Sequence, residues 1–406
     1  MSQENLQGNQ DVVSSIFGRS RKRQLSSLFV QKGAKPAKTV SRGDSTPHFA
    51  AKKKFPLGLD IGANSIKMIQ LASDSSGDIG VLHSVVEELP LEARYDKKDR
   101  PKIITEILKK TVSNKGLRGD CYYAVSAADV KVNLIKLPKM PTNEIEKAVH
   151  WEIQRISQTD MNEIVSDYII LKDKETSLWG EQVGVLAIIA NKKEMFEHMA
   201  LLESAGLNPL AIDIEPLADL AALQEGKQLS QGDCILFLDF GAGKTALNII
   251  YNEELLYSRT LNISGNLLTK SISDYCKVPW EEAEVLKAKY GIAGSGSNSA
   301  ESAPDRGGQV RNAIVPLLEN MVADIDHTFK YFSYQVSQSQ ITVFNKIVLS
   351  GGSTAIKGLV SFLQSRLNSS IEVVGTLTSF GMAEGDISAN TRLHVALGLA
   401  LRGMER

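Results

Sequence analysis

From Phe55 onward the chain alternates short apolar runs with stretches of helical period. LGLDIG at 57–62 and SIKMIQLA at 65–72 read as two strands joined by a glycine turn, and IGVLHSVVEEL at 79–89 extends the same sheet. RPKIITEILKKTVSNKGL at 100–117 predicts an amphipathic helix. Ile103, Ile107 and Leu108 share its apolar face, Val112 lies beside them and Gly116 ends it. CYYAVSAADVKVNLIKLP at 121–138 reads as extended, with Pro138 and Pro141 marking a boundary. Thr142 is an N-cap candidate for a helix through Arg155, where Ile145, Ala148, Val149, Ile153 and Ile156 form one stripe. Trp151 lies about 140° around the helix from that stripe, so it is either a second packing contact or part of a docking groove. SDYIIL and QVGVLAIIAN, followed by the helical KKEMFEHMALLESAG, predict two strands and a helix over 166–206. After the polar GKQLSQGD a second strand-rich half starts at Cys234, with helices expected at 264–276, 280–290 and 310–334. The low-complexity AGSGSNSAESAPDRGG at 293–308 reads as a mobile loop. A last helix starts near Thr391 with Leu393, Ala396, Leu397, Ala400 and Leu401 on one face.

Three of the strand ends share a pattern. FPLGLDIGANSIKMIQL (55–71) and ILFLDFGAGKTALNII (235–250) each place an Asp, then a Gly, where the strand breaks: Asp60 with Gly62, and Asp239 with Gly241. NKIVLSGGSTAIKGL (345–359) breaks into Gly351, Gly352 and Ser353 and runs on into a helix. Any one such turn is ordinary, because Gly tolerates positive φ and Asp bonds its own backbone. Together they describe two hairpins and a distant glycine turn converging on a nucleotide. Backbone N–H groups of such turns cradle phosphate oxygens, and paired carboxylates beside phosphate require a cation between them, most simply hydrated Mg²⁺. GKT at 243–245 is not a Walker loop, since position 238 is Leu where that motif needs Gly. Neither hairpin carries a dinucleotide fingerprint.

Length and composition, at 406 residues with 43% hydrophobic and 23% charged, are those of a globular chain with more than one domain. The net charge of −1 hides an asymmetry. Residues 1–54 carry eleven Lys/Arg against Glu4, Asp11 and Asp44, a net of +8, which leaves −9 on the rest. An acidic body argues against a nucleic-acid-binding core. The tail reads as disordered, with VVSSIFGRSRKRQLSSLFV at 12–30 as an amphipathic candidate for an anionic surface or a partner. Cys121, Cys234 and Cys276 have neither framework nor metal-site spacing and read as buried packing residues of a reducing cytoplasm. No apolar run is long enough to span a bilayer.

The three turns are similar to the phosphate-1, phosphate-2 and adenosine motifs of the actin-like ATPase superfamily. LPKMPTNEIEKAVHWEIQR, AGLNPLAIDIEPLADLAAL, ISGNLLTKSISDYCKVPWEEAEVLKAKYG and LHVALGLALR carry a narrower resemblance, over about residues 55–403, to the PilM family of type IV pilus assembly. The resemblance implies an α/β, duplicated ribonuclease H-like fold with a small inserted α/β subdomain. It implies a first half at 55–136, the insertion at 137–206, a connection at 207–230, a second half at 231–390 with its own insertion at about 262–344, and a helix at 391–406 packing on the first half. ATP and Mg²⁺ are the implied ligands. Asp60 and Asp239 would hold the metal through water; Gly62, Ala63, Asn64 and Ser65, and Gly241, Ala242, Gly243 and Thr245, would face phosphate. Lys67 matches a phosphate-binding lysine, although an alternating strand can equally aim it at solvent. Lys244 is additional to the family pattern and its role is open. Glu284 and Lys287 match ribose and base contacts, or form an ordinary i, i+3 helix pair; Gly351, Gly352 and Ser353 would approach the base. Asp213 or Glu215 would orient an attacking water, with nucleotide binding better supported than efficient turnover. The implied partner is the cytoplasmic N-terminal peptide of PilN, met by the insertion and Trp151, with other pilus proteins and self-association left open. The implied place is the cytoplasmic face of the inner membrane, as a peripheral protein. An FtsA-like cell-division anchor and a related secretion or competence scaffold are the alternatives.

Overall fold

The computed structural model describes residues 29–30, 55–73, 78–95, 98–126, 129–171, 178–292, 305–338, 340–380 and 387–404. The expected basic tail, apart from residues 29–30, and positions 293–304 of the expected loop lie outside these. The two halves are built on one plan. In the first, β2 (Leu57–Ile61), β3 (Ser65–Ser73) and β4 (Ile79–Glu88) form an antiparallel meander, and β5 (Asp120–Val125) and β9 (Asn208–Ile214) join β2 in parallel. A two-residue strand, β1 (Phe29–Val30), pairs with the outer edge of β9. In the second, β10 (Cys234–Phe240), β11 (Thr245–Tyr251) and β12 (Glu254–Leu261) form the meander, and β13 (Lys346–Ser350) and β14 (Ile371–Val373) add in parallel. Reading across the sheets, 4-3-2-5-9 and 12-11-10-13-14 are the same topology twice. Strands of the second half are apolar on both faces, as sheets covered on both sides require: Ile235, Leu236, Phe237 and Leu238 of β10 are all buried.

The 121–138 stretch departs from its reading as one extended unit. β5 ends at Val125, and β6 (Val130–Pro138) crosses into a separate three-stranded sheet with β8 (Gln182–Asn191) and β7 (Ile164–Ile170). The inserted layer therefore begins ahead of the expected position 137, because alternation marks a strand without naming its partner. α1 (Arg100–Lys115) follows the first meander. α2 (Thr142–Ser157) starts after Pro141, which occupies the cap position expected for Thr142. Its stripe of Ile145, Val149 and Ile153 packs on Ile135, Leu137, Val185, Ala187 and Ile189 of the small sheet. The opposite face of that sheet, with Val165, Ile169, Leu186 and Ile188, joins the main core. Trp151 is 72% exposed, so it is not the second packing contact.

α3 (Lys192–Ser204) leads into β9, and α4 (Glu215–Glu225) connects the halves. α5 (Gly265–Cys276), α6 (Trp280–Tyr290) and α7 (Arg306–Tyr331) stand over the second sheet, α7 starting four residues before the expected 310. After α8 (Leu359–Leu367), α9 (Ile387–Met404) returns to the first half. Leu393, Ala396, Leu397 and Leu401 pack on Ile69, Leu71 and Ala222, while Val395 and Leu399 pack on Tyr122, Ala124 and Ala211. Two glycines permit this approach. A Cβ on Gly58 would stand 2.0 Å from the Ala396 carbonyl oxygen, and one on Gly398 would stand 1.8 Å from that of Ala218. Cys121 and Cys234 are buried and their thiols are pushed up to about 12 by burial, whereas Cys276 is partly exposed.

Candidate functional site

The chemistry-bearing residues gather where parallel strands end. Asp60 is the penultimate residue of β2, Ser126 follows β5 and Glu215 follows β9; Asp239 is the penultimate residue of β10 and Gly351 follows β13. In open α/β sheets the carboxyl ends of the strands face the binding crevice. Here the ends of two such sheets face each other.

Both hairpins close in the same way. The Gly62 N–H donates to the Ser65 carbonyl at 3.0 Å, and the Gly241 N–H donates to the Lys244 carbonyl at 2.9 Å. These two N–H groups therefore close their own turns, which corrects their expected place among the phosphate donors. The carbonyls are committed as well. Arg100 of α1 donates to Gly62 at 2.7 Å and to Ala63 at 3.1 Å. Gly265 and Asn266, at the start of α5, donate their N–H groups to Gly241 at 3.0 Å and Ala242 at 2.8 Å. The Thr245 hydroxyl is fully buried and donates to Ile263 at 2.8 Å, so it braces the hairpin.

The turns meet across the cleft. A Cβ on Gly243 would lie 2.6 Å from that of Ala63. Asn64 and Asn266 exchange amide hydrogen bonds at 2.8 and 2.9 Å, tying the first turn to the second half. Lys244 crosses the other way, and its ammonium donates to Glu215 and to the Ser126 hydroxyl.

Charge explains why these side chains belong together. Lys67 bonds Asp60 at 2.7 Å and points into the site rather than to solvent. Burial alone would push its ammonium down, but Asp60, supported by Asp239 and Glu215, holds it above its ordinary value. Burial, reinforced by Asp219, Glu215 and Asp60, pushes the Asp239 carboxyl up to about 8, with Lys67 opposing. Burial, with Glu215 and Asp60 adding to it, also raises Asp219 well above the carboxylate range. Asp219 meets His394 of α9 at 2.9 Å, and burial pulls that imidazole down to about 4. Asp60 and Asp239 thus feel one another at a single buried site that gathers more acidic than basic side chains.

Asp213 and Glu215 separate here. Asp213 is buried on the sheet face that carries α9, where its carboxylate pairs with Arg402 at 2.5 Å. The structure makes it a strut beneath the C-terminal helix, which corrects its pairing with Glu215 as a candidate catalyst. Glu215 stays in the electrostatic neighbourhood of Asp60 and Asp239.

The remaining candidates adjoin the second turn. Gly351, at φ 88°, lets β13 approach β10 so closely that a Cβ would lie 2.5 Å from Asp239 Oδ1. The Ser353 hydroxyl donates to the Gly241 carbonyl at 3.2 Å, while Gly352 is exposed. Lys287 bonds Glu284 at 2.9 Å, Thr269 at 2.6 Å and the Gly265 carbonyl at 3.0 Å. The pair is therefore more than an exposed i, i+3 contact, since it is anchored at the start of α5 beside the second turn. Arg100 and Asn266 escaped the sequence reading. Their only signals were a helix-initial Arg and an Asn two residues after Ser264, the serine that caps α5 by accepting from Leu267 at 3.2 Å.

Among the described residues no group of three His, Cys, Asp or Glu side chains is placed to hold a metal ion. The donor set instead suits Mg²⁺ held by few carboxylates, with water and phosphate completing its shell. Asp60 and Asp239 supply hard oxygens, and Asp239, raised by burial, would give up its proton to a cation, so the residues present fit that ion.

The family model for type IV pilus assembly protein PilM matches residues 58–404. A solved PilM–PilN type IV pilus biogenesis complex matches with a TM-score of 0.71 and 25% identity, covering 86% of this chain and 99% of that one. Curated relatives include the cell division protein FtsA of Streptococcus pneumoniae serotype 2, 23% identical over 343 residues, spanning 77% of this chain and 74% of the relative. FtsA of Neisseria meningitidis serogroup B is 27% identical over 171 residues, 40% of this chain and 41% of the relative, so that match spans less than half of the protein.

Proposed function

The chain belongs to the type IV pilus assembly protein PilM family, and from that premise we propose that it is a nucleotide-clamped scaffold of the pilus machinery. Its fold is the actin-like one, a duplicated α/β architecture with an inserted layer. Mg²⁺-ATP would lie between the two Asp-x-Gly hairpins. Asp60 and Asp239 would hold the ion through water; Lys67 and the backbone of Ala63, Asn64, Ala242 and Gly243 would face the phosphates; Glu284, Lys287 and the Gly351–Ser353 turn would face the nucleoside. The observation that carries this reading is that Asp60 and Asp239, from separate sheets, are buried close enough to interact electrostatically with each other and with Lys67. When bound, the metal supplies positive charge against the terminal phosphates. The chain's own part is to place donors, exclude water and bring the halves together. Of the two acidic candidates, Glu215 takes the water-orienting role in a weak ATPase.

The partner in this proposal is PilN, which the matching solved complex names, and the segment met would be its cytoplasmic N-terminal peptide. The inserted layer, from Val130 through α3, would offer the docking surface, with Trp151 presented to it. Among the described residues no helix is long and apolar enough to cross a membrane, so recruitment to the inner membrane would run through the partner or the basic tail. Nucleotide would bias docking only as far as it favours one arrangement of the halves. Titrating Mg²⁺-ATP into wild type and Asp239→Ala, with and without the PilN tail peptide, tests the reading. Binding by wild type, loss in the variant and a peptide-dependent affinity are expected; equal affinity in both chains refutes the site. The FtsA relatives favour a second reading as a membrane anchor of cell division. Liposome co-sedimentation with and without residues 1–54 distinguishes it.

A further inference from the structure

We propose that Lys244 is a positioning residue that restrains nucleotide turnover by holding Glu215 across the cleft; the inference rests on the nucleotide reading above. The two hairpins correspond residue by residue, Asp60-Ile61-Gly62-Ala63-Asn64-Ser65 with Asp239-Phe240-Gly241-Ala242-Gly243-Lys244, and each is closed by the same backbone hydrogen bond. Lys244 thus stands where the first hairpin has Ser65. A serine is too short to leave its hairpin, whereas the lysine spans the cleft and seats its ammonium on Glu215 and Ser126. Those two residues follow β9 and β5, adjacent parallel strands of the first sheet, while the lysine backbone belongs to the second. The Lys244 and Glu215 side chains are only 20% and 10% exposed, so water competes weakly for the contact.

The consequence is chemical as well as mechanical. A carboxylate orients an attacking water by accepting its hydrogen bond. Glu215 Oε2 already accepts a charge-assisted bond from Lys244, which fixes the carboxylate's orientation and weakens it as an acceptor for a water. Asp213 offers no substitute, being committed to Arg402. One contact therefore joins the halves and occupies the group that would help hydrolysis. The chain is built to hold its nucleotide closed and to turn it over slowly.

The test uses the full chain with Lys244→Met, which keeps the stem and removes the charge, and Lys244→Arg, which keeps the charge. In the ligand-free protein, amide exchange at residues 241–245 is about 10-fold faster in the Met variant and near wild type in the Arg variant. Single-turnover hydrolysis of Mg²⁺-ATP is about 3- to 10-fold faster in Lys244→Met, with the ATP Kd within about 3-fold of wild type. In a Glu215→Gln background the same substitution gives no acceleration. Should Lys244→Met not fold, Lys244→Ser, which copies the first hairpin, gives the same acceleration. A variant that binds ATP normally but hydrolyses no faster than wild type overturns the proposal, as does equal acceleration in the Gln background. A wild-type chain that binds no Mg²⁺-ATP overturns both this inference and the reading beneath it.

Discussion

Asn64→Ala removes both hydrogen bonds of the reciprocal amide pair, 2.8 and 2.9 Å long, that joins the first hairpin to the start of α5. A neutral hydrogen bond nets about 1 kcal/mol, so a partly buried pair is worth about 1–2 kcal/mol. That corresponds to roughly 5- to 30-fold in the balance between joined and separated halves. Other cross-cleft contacts persist, since Ala63 still packs under Gly243 and Lys244 still reaches Glu215. The variant should therefore fold and merely open more often. Native-state hydrogen exchange at residues 241–245 and 264–268 reads this directly for wild type, Asn64→Ala, Asn266→Ala and the double variant. Each single change should speed exchange roughly 5- to 30-fold, and the double variant should be no faster than either single one. Strict additivity in the double variant would refute the argument, because side chains that owe their effect to each other cannot lose it twice.

Four further outcomes rest on burial and charge. A cation needs Asp239 ionised, and its carboxyl stands at about 8, so Mg²⁺-ATP binding below that pH releases a proton. Affinity should rise about tenfold per unit between pH 6 and 7 and level off above 8, read by calorimetry in two buffers of different ionisation heat; a flat profile contradicts the assignment. Without ligand the sign reverses: between the ordinary carboxylate range and about 8 the folded chain binds the extra proton, so this group's contribution to stability falls as pH rises. Arg402→Met leaves the buried Asp213 carboxylate without its ion pair and should cost about 3–5 kcal/mol in urea unfolding, partly recovered by adding Asp213→Asn. Trp151→Ala should leave stability within about 0.5 kcal/mol, because the ring is 72% exposed, while weakening PilN-peptide binding by about tenfold.

The hairpins were legible because their signal is local. Asp60, Gly62 and Lys67 sit within one turn and two strands, although the ion pair of Asp60 with Lys67 emerged only from the register of the folded hairpin. Helical stripes were equally legible: Ile145, Val149 and Ile153 are buried as their spacing requires. Val130–Pro138 misled because a strand pattern does not say which sheet receives it. The place of the Thr245 side chain was hidden for a related reason. Its hydroxyl satisfies a carbonyl that only the fold brings near, that of Ile263 on the chain leading into α5.

Taken by itself, the sequence determined the repeated strand–Asp–Gly hairpin, the glycine turn that completes the set and the periodicity of the helices. Each of these depends on backbone sterics and side-chain spacing over a dozen residues or fewer. Tertiary structure alone decided that Asn64 meets Asn266, that Lys244 reaches Glu215, and that Asp213 serves Arg402 while Glu215 faces the cleft. Those partners are separated by long stretches of chain, and their charges acquire meaning only once burial removes the water that would otherwise screen them.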